Sequence, residues 1–175
     1  DGKGNYSDVV SRTYTFVPSI ANTKETALTT AEAINLSDKT SAEQLADEKV
    51  YVKGTISEVG TFSSGYITYW LDDDAFKVYS GKGLDNTDFI AASDVEVGAE
   101  VIVYGNIKKF NTTTYEFDKN NYLVSYKAKV LSSVAISGSA TKTSYEEGET
   151  FDFSGLTLTA TYDKGSTMDI TSSAT

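Results

Sequence analysis

The chain has no cysteine and no histidine among its 175 residues, and only one proline and one methionine. Without thiols there are no disulfides, no thiolate metal sites and no cysteine nucleophile. Without imidazole there is no Ser-His-Asp or Cys-His constellation and no histidine proton shuttle. Positive charge is scarce as well: 15 Lys+Arg face 25 Asp+Glu, a net charge of −10. Over most of such a surface a phosphate backbone meets repulsion, which disfavours unspecific nucleic-acid binding. No apolar run is long enough to span a bilayer, and no charged n-region followed by an apolar h-region opens the chain. The expectation is a soluble fragment with no membrane-spanning segment. Its export signal or lipid anchor, an acylated cysteine upstream for example, is expected to be removed or to lie outside it.

Aromatic residues are plentiful: 12 Tyr, 8 Phe and one Trp. They fall in segments where apolar residues recur at every second position, the period of a strand with one buried face. The stretch from Val50 to Gly60 is the clearest, with Val50, Val52 and Ile56 on one side. Residues 66–72, 75–79, 100–110 and 115–126 continue the pattern between clusters of Gly, Asn, Asp and Ser. Five strands are too few for a comfortable two-sheet sandwich but enough to close a small barrel, so the fold class expected is all-β. The inward set is Ile67, Tyr69, Leu71, Phe76, Val78, Val101, Val103 and Ile107, with Phe89 and Ile90 plugging one end. Gly54, inside the first strand, marks a bulge or a point of sharp coiling.

Before the barrel, residues 9–17 alternate as one strand that Pro18 ends. Thr29-Thr30-Ala31-Glu32 is a capping-box pattern opening a short helix that turns Ala33, Ile34 and Leu36 to the core. Thr40-Ser41-Ala42-Glu43 opens a second helix carrying Leu45. Between Ser80 and Gly98 the period breaks, which predicts a long connection. After Val130 it restarts at 134–138, 145–151 and 156–162, three strands at sandwich-domain spacing. A domain of that kind needs about seven strands, so this one reads as partial, within a longer parent protein. The division expected is an extension over 1–28, a barrel over 29–130 and a partial unit over 131–175, whose open edge can pair with another strand.

The outward barrel face carries the candidate ligand-binding residues Tyr51, Lys53, Tyr66, Trp70, Lys77 and Tyr79, with Thr55 and Thr68 beside them. Rings between ammonium groups suit stacking on a base or on the apolar face of a sugar, with lysine meeting a phosphate or a hydroxyl. The plainer reading has the same rings covering the barrel or packing beneath the helices and tail. Lys82, Lys108 and Lys109 with Phe110 form the basic cluster worth testing; Lys108 and Phe110 join the candidate set. Residues 49–126 hold seven lysines against eleven carboxylates, a balance of −4, which favours carbohydrate or protein over nucleic acid. Asp72-Asp73-Asp74 lacks the spacing of a calcium loop and reads as a solvated turn, as do Asp85, Asn86 and Asp88. Gly81-Lys82-Gly83 is no phosphate loop, since neither the spacing nor a following helix is present. Paired carboxylates for glycoside hydrolysis would need a deep cleft that a small barrel rarely supplies. No catalytic residue, metal or cofactor is assigned.

Tyr51-Val52-Lys53-Gly54-Thr55-Ile56, the stretch from Gly98 to Gly105, and Asn121-Tyr122-Leu123-Val124 resemble the OB-fold domains of exported bacterial surface proteins. The helical preface from Thr29 resembles the same group. The tail, through Tyr145, Gly148, Phe151-Asp152, Ser154-Gly155-Leu156 and Ala160-Thr161-Tyr162, resembles the opening strands of bacterial Ig-like (group 3) domains. The resemblance implies an extracytoplasmic location, secreted or cell-surface attached, and a modular binding or scaffolding role. It carries over no catalytic residue, and it leaves an OB-type single-stranded nucleic-acid module, serving a nuclease in the parent protein, as the alternative.

Overall fold

A computed structural model describes residues 21–163 and 165–173. The strand expected at 9–17 lies outside the described residues. The elements are β1 (Leu28–Thr29), α1 (Thr30–Lys39), α2 (Ala42–Asp47), β2 (Lys49–Ser63), β3 (Tyr66–Leu71) and β4 (Phe76–Leu84). After a 3₁₀ turn at Ala92–Asp94 come β5 (Glu100–Lys109), β6 (Tyr115–Phe117), β7 (Tyr122–Lys127), β8 (Leu131–Gly138), β9 (Leu156–Tyr162) and β10 (Thr167–Asp169). The class is all-β, with two small helices.

The first strand of the alternating region, β2, changes partner half-way. Lys49 to Thr55 pair antiparallel with β5, and Ile56 to Ser63 pair antiparallel with β3. From β3 the ring continues to β4, then through parallel pairs to β6 and β7, and through antiparallel pairs back to β5. A sheet that returns to its own first strand is closed, and its backbone donors and acceptors are used up around the circumference. Gly54 stands just before the change of partner. It is not a bulge: the register with β5 runs unbroken through it, and the β2 irregularities fall later, between Ile56 and Glu58 and between Val59 and Phe62. What Gly54 provides is space, because a Cβ there would lie 2.9 Å from Asp72 Oδ2 and 3.1 Å from Leu71 Cβ.

Alternation becomes burial inside this ring. Every residue of the inward set from Val50 to Ile107 is buried, joined by Phe117 and Leu123. Phe76 and Phe117 meet edge to face at 5.6 Å, and each such side chain contributes about 1.5–3 kcal/mol by leaving water. The plug is Phe89 alone: Ile90 is 87% exposed. Asp94 accepts the N–H groups of Ile90 and Ala91, and that local bonding fixes the start of the 3₁₀ turn with Ile90 outside.

Both helices start at full capping boxes. Thr29 and Glu32 open α1, as expected. The second box is Ser41 with Gln44, one residue later than expected, because the Thr40 N–H closes α1 on the Leu36 carbonyl. Ala33 and Leu45 are buried, while Ile34 and Leu36 pack half-buried against the same core.

Three expectations of extent are corrected. β4 runs on to Leu84 through Gly81 and Gly83, glycines that fit a strand because neighbours crowd their missing side chains. The fifth expected strand is two, β6 and β7, separated where Asn120 takes a φ of 68°. In the tail, residues 145–151 form no strand. There Glu149 accepts the Glu146 N–H, Gly148 has φ 90°, and Tyr145 stacks on Phe151, a folded turn rather than an extended ladder. The third strand of that sheet is β10, and its order is β10-β9-β8.

Candidate functional site

The outer face of β3 and β4 holds an open groove of about 530 Å³ lined by Tyr66, Thr68, Trp70, Lys77, Tyr79 and Ser80, with Thr61 and Ser63 from the end of β2 and Ser64 from the turn after it. Strand pairing sets its floor, since Trp70 lies directly opposite Lys77. The Lys77 ammonium sits 5.7 Å from the Trp70 ring and 5.0 Å from the Tyr79 ring. Gly60 lets the indole lie across β2, for a Cβ there would be 2.7 Å from Trp70 Cζ3. The β2–β3 hairpin closes on Ser64 and Gly65, both at positive φ (51° and 83°), the two-residue turn that matches strand twist.

Tyr79 is aimed by a bulge. Ile67 faces Gly81 while Tyr69 faces Val78, so β4 carries one extra residue there, and Ser80 takes a φ of 52°. Bulges re-aim side chains at the cost of ladder bonds, and here two groups satisfy the broken ladder. Thr68 Oγ1 accepts the Ser80 N–H at 3.1 Å, and the fully buried Asn121 donates Nδ2 to the Tyr79 carbonyl at 2.8 Å. Asn121 fits only because β4 and β5 present Gly81 and Gly105, where a Cβ would lie 2.8 Å from its Oδ1 and 2.6 Å from its Cβ. Asn121 thus positions the site although it touches no ligand surface. A polar residue at the head of an apolar strand, with glycines in two other strands, is the signal that reading each segment alone passes over.

Beside the groove, β6 places buried Glu116 between two lysines, 3.6 Å from Lys77 and 3.5 Å from Lys108. Lys108 bonds Asp118 more closely, at 2.9 Å. Partial burial disfavours the Lys108 charge, but Asp118 and Glu116 outweigh it and hold its pKa above the ordinary lysine value. Its hydrogen bond in turn holds Asp118 below the usual carboxylate range. Phe110, 61% exposed, stands 5.5 Å from the Lys108 ammonium at the end of this row.

Of the eight candidate residues, Tyr66, Trp70, Lys77 and Tyr79 therefore share one groove, and Lys108 with Phe110 adjoins it through Glu116. Tyr51 and Lys53 lie elsewhere. Tyr51 belongs to a ladder across β2, β5 and β7, 4.4 Å from Tyr104, which meets Tyr122 at 5.7 Å. The Asn22 side chain bonds both the N–H and the carbonyl of Tyr51, as a neighbouring strand would. Lys53 lines a separate depression of about 310 Å³ with Glu100, Ile102, Ser125 and Lys127, which lacks an aromatic platform.

Lys82, Lys108 and Lys109 do not pool their charge, since each bonds its own carboxylate: Asp88, Asp118 and Asp38. The acidic turn is structural rather than merely solvated. Asp72, Asp73 and Asp74 all have positive φ, and Asp72 accepts the Thr55 N–H and the Thr30 hydroxyl, both at 2.8 Å, tying α1 to the barrel. Asp85 and Asn86 form the turn after β4, also at positive φ. Among the described residues no three carboxylates gather as metal ligands do, and no helix is long and apolar enough to cross a membrane. No protein-family model matches the chain, and no curated protein sequence matches it.

Proposed function

We propose that this chain is a non-catalytic binding module of an exported, modular bacterial protein, and that its ligand is a saccharide received in the β3–β4 groove. The observation that carries this reading is Trp70 beside Tyr66 and Tyr79, half-buried on an outer strand face and edged by the hydroxyls of Thr61, Ser63, Ser64 and Ser80. Sugars offer an apolar ring face and a rim of hydroxyls, which such a groove matches. The ring of pairings, with β4 parallel to β6 and β7 and its other pairs antiparallel, supports an OB-type barrel. The three-stranded sheet of β8, β9 and β10 supports an Ig-like spacer unit. Glu116 and Asp118, beside the groove, are each engaged by lysine, an arrangement that suits structure better than proton transfer. Lys77 and Lys108 share one buried carboxylate while Lys53 lies in another depression, so no continuous cationic channel joins them for a nucleic-acid strand.

Trp70 is the only tryptophan, so its fluorescence reads the groove directly. Titration with oligosaccharides should shift that emission saturably. Tyr79→Ala should weaken the saccharide response by about tenfold or more, in line with the loss of one stacking platform. Saccharides that leave the emission unchanged, while a protein ligand or single-stranded DNA alters it, would overturn the assignment.

A further inference from the structure

We infer that the saccharide is anionic, a uronate or sulfated oligosaccharide whose acid group is met by Lys77 and Lys119 near Tyr79. This rests on the saccharide reading of the groove. The chain as a whole is strongly acidic, yet ammonium groups gather on this face. Lys77 lies 5.0 Å and Lys119 5.9 Å from the Tyr79 ring, and Lys82 lies 5.2 Å from Tyr66.

The carboxylates facing the same patch are Asp88, Asp118, Glu116 and Glu58, the last directly opposite Trp70 on β2 and holding none of these lysines, and the other three do not use the cations equally. Asp88 holds Lys82 at 2.8 Å and Asp118 holds Lys108 at 2.9 Å, lengths of strong charge-assisted bonds, roughly 2.7–2.9 Å. Lys77 has only Glu116, at 3.6 Å, and Lys119 makes no ion pair within the described residues. Two lysines therefore keep donors available beside the ring on which a sugar would stack. Glu116 is the built-in competitor: its carboxylate is shared between Lys77 and Lys108 and would yield Lys77 to a ligand acid. A polysaccharide with charge on alternate sugars leaves neutral rings to stack and needs few cations. A nucleic-acid strand brings a phosphate with every nucleotide into a field that is negative overall.

The whole chain is titrated, by Trp70 emission and by calorimetry, with neutral xylohexaose, a hyaluronan hexasaccharide (one carboxylate per disaccharide) and a keratan sulfate hexasaccharide sulfated once per disaccharide and free of uronate, at low and high salt. At low salt at least one acidic oligosaccharide should bind about tenfold more tightly than the neutral one, with the advantage shrinking as salt screens it. The two acidic ligands distinguish carboxylate from sulfate recognition. Lys77→Gln and Lys119→Gln should each remove most of that advantage, and Lys119→Gln, which lies outside the groove lining, should leave neutral binding unchanged. Glu116→Gln, which removes the competitor, should tighten acidic binding by about threefold; if it does not fold, the two lysine variants decide. Equal binding of neutral and acidic ligands, abolished by Tyr79→Ala, overturns the acidic preference and leaves the saccharide groove standing. No saccharide response at all removes both, and tighter binding of a single-stranded oligonucleotide than of either acidic sugar overturns the inference in favour of nucleic acid.

Discussion

The barrel strands and the three-stranded sheet of β8, β9 and β10 are written in the same alternating idiom and meet opposite fates. In the barrel, alternation ends in burial: Ile67, Tyr69 and Leu71 are each fully enclosed. In the small sheet the same idiom leaves Val134 and Ile136 47% and 67% exposed, and among its described residues only Ala160 is buried. Period two thus specifies a strand and its two faces, but it does not say that the apolar face is covered. Closure covers it. Because β2 pairs with both β3 and β5, each inward side chain of the barrel meets others from across the ring, whereas β8 has a partner on one side only.

The strongest way to break this contrast is to truncate one apolar side chain in each region. Phe117→Ala should destabilise the barrel by about 3–5 kcal/mol, through lost transfer energy and the cavity left against Phe76. Ile136→Ala should change stability by less than about 0.5 kcal/mol, as exposed substitutions do. Urea unfolding followed by far-UV circular dichroism, which sees the strands of both regions, measures both. A midpoint that moves as far for Ile136→Ala as for Phe117→Ala would show the sheet to be packed as tightly as the ring.

The next test is of what holds the ring to its helical preface. Asp72→Ala deprives the Thr55 N–H and the buried Thr30 hydroxyl of their acceptor, which should cost about 2 kcal/mol. Gly54→Ala presses a methyl group on that carboxylate and on Leu71, a cost of about 1–3 kcal/mol. In the double variant the two losses should not add, since removing the carboxylate opens space for the methyl group. Strict additivity in urea unfolding would show that Gly54 is required by the coiling of β2 alone.

A smaller effect is expected at the second helix. Ser41 accepts the Gln44 N–H, and the Gln44 side chain reaches back to the Ser41 N–H. Ser41→Ala should cost about 1 kcal/mol, because α2 spans only six residues and has little propensity energy of its own. Thr40→Ala should cost less, as it is the Thr40 backbone that closes α1. Thermal melts of the two variants separate the positions; a larger loss for Thr40→Ala would return the cap to the residue first expected.

How much of this was legible beforehand follows the range of each interaction. The inward set depends on side-chain period alone, and the Thr29 box on residues three apart, so both can be read locally. Gly81 and Gly83 looked like punctuation because glycine weakens an isolated strand. Their reason for being there, Asn121 and Thr87 against their backbones, lies with residues elsewhere in the chain or across the turn. The site shows the same limit. That Tyr66, Trp70, Lys77 and Tyr79 point outward follows from alternation, but that they share a groove while Tyr51 and Lys53 do not depends on strand order and on the Ser80 bulge. Glu116 lay in a three-residue strand too short to show a period, so its place between two lysines was not legible.

The smallest expected effect compares how the two regions use their carboxylates. Asp118, with Lys108 ten residues away, and Asp38, with Lys109 and Tyr115 over 70 residues away, both have pKa values below the ordinary aspartate range. In the tail, Asp152 with Ser154 and Asp169 with Thr171 are lowered too, but by partners two residues away. A carboxylate whose folded pKa is depressed contributes stability that is fully present above its unfolded value, about 3.9, and is lost as pH falls through the folded value. Partners two residues apart still meet in the unfolded chain, so the tail pairs contribute less to this difference. Asp118→Asn should therefore flatten the acid limb of the stability profile below about pH 4 by less than about 1 kcal/mol, since both side chains are partly solvated. Asp152→Asn should leave that limb unchanged. Urea midpoints at pH 3, 4 and 6 measure the difference, and an equal flattening by both variants would mean that the acid response does not depend on how far apart in the chain the paired groups lie.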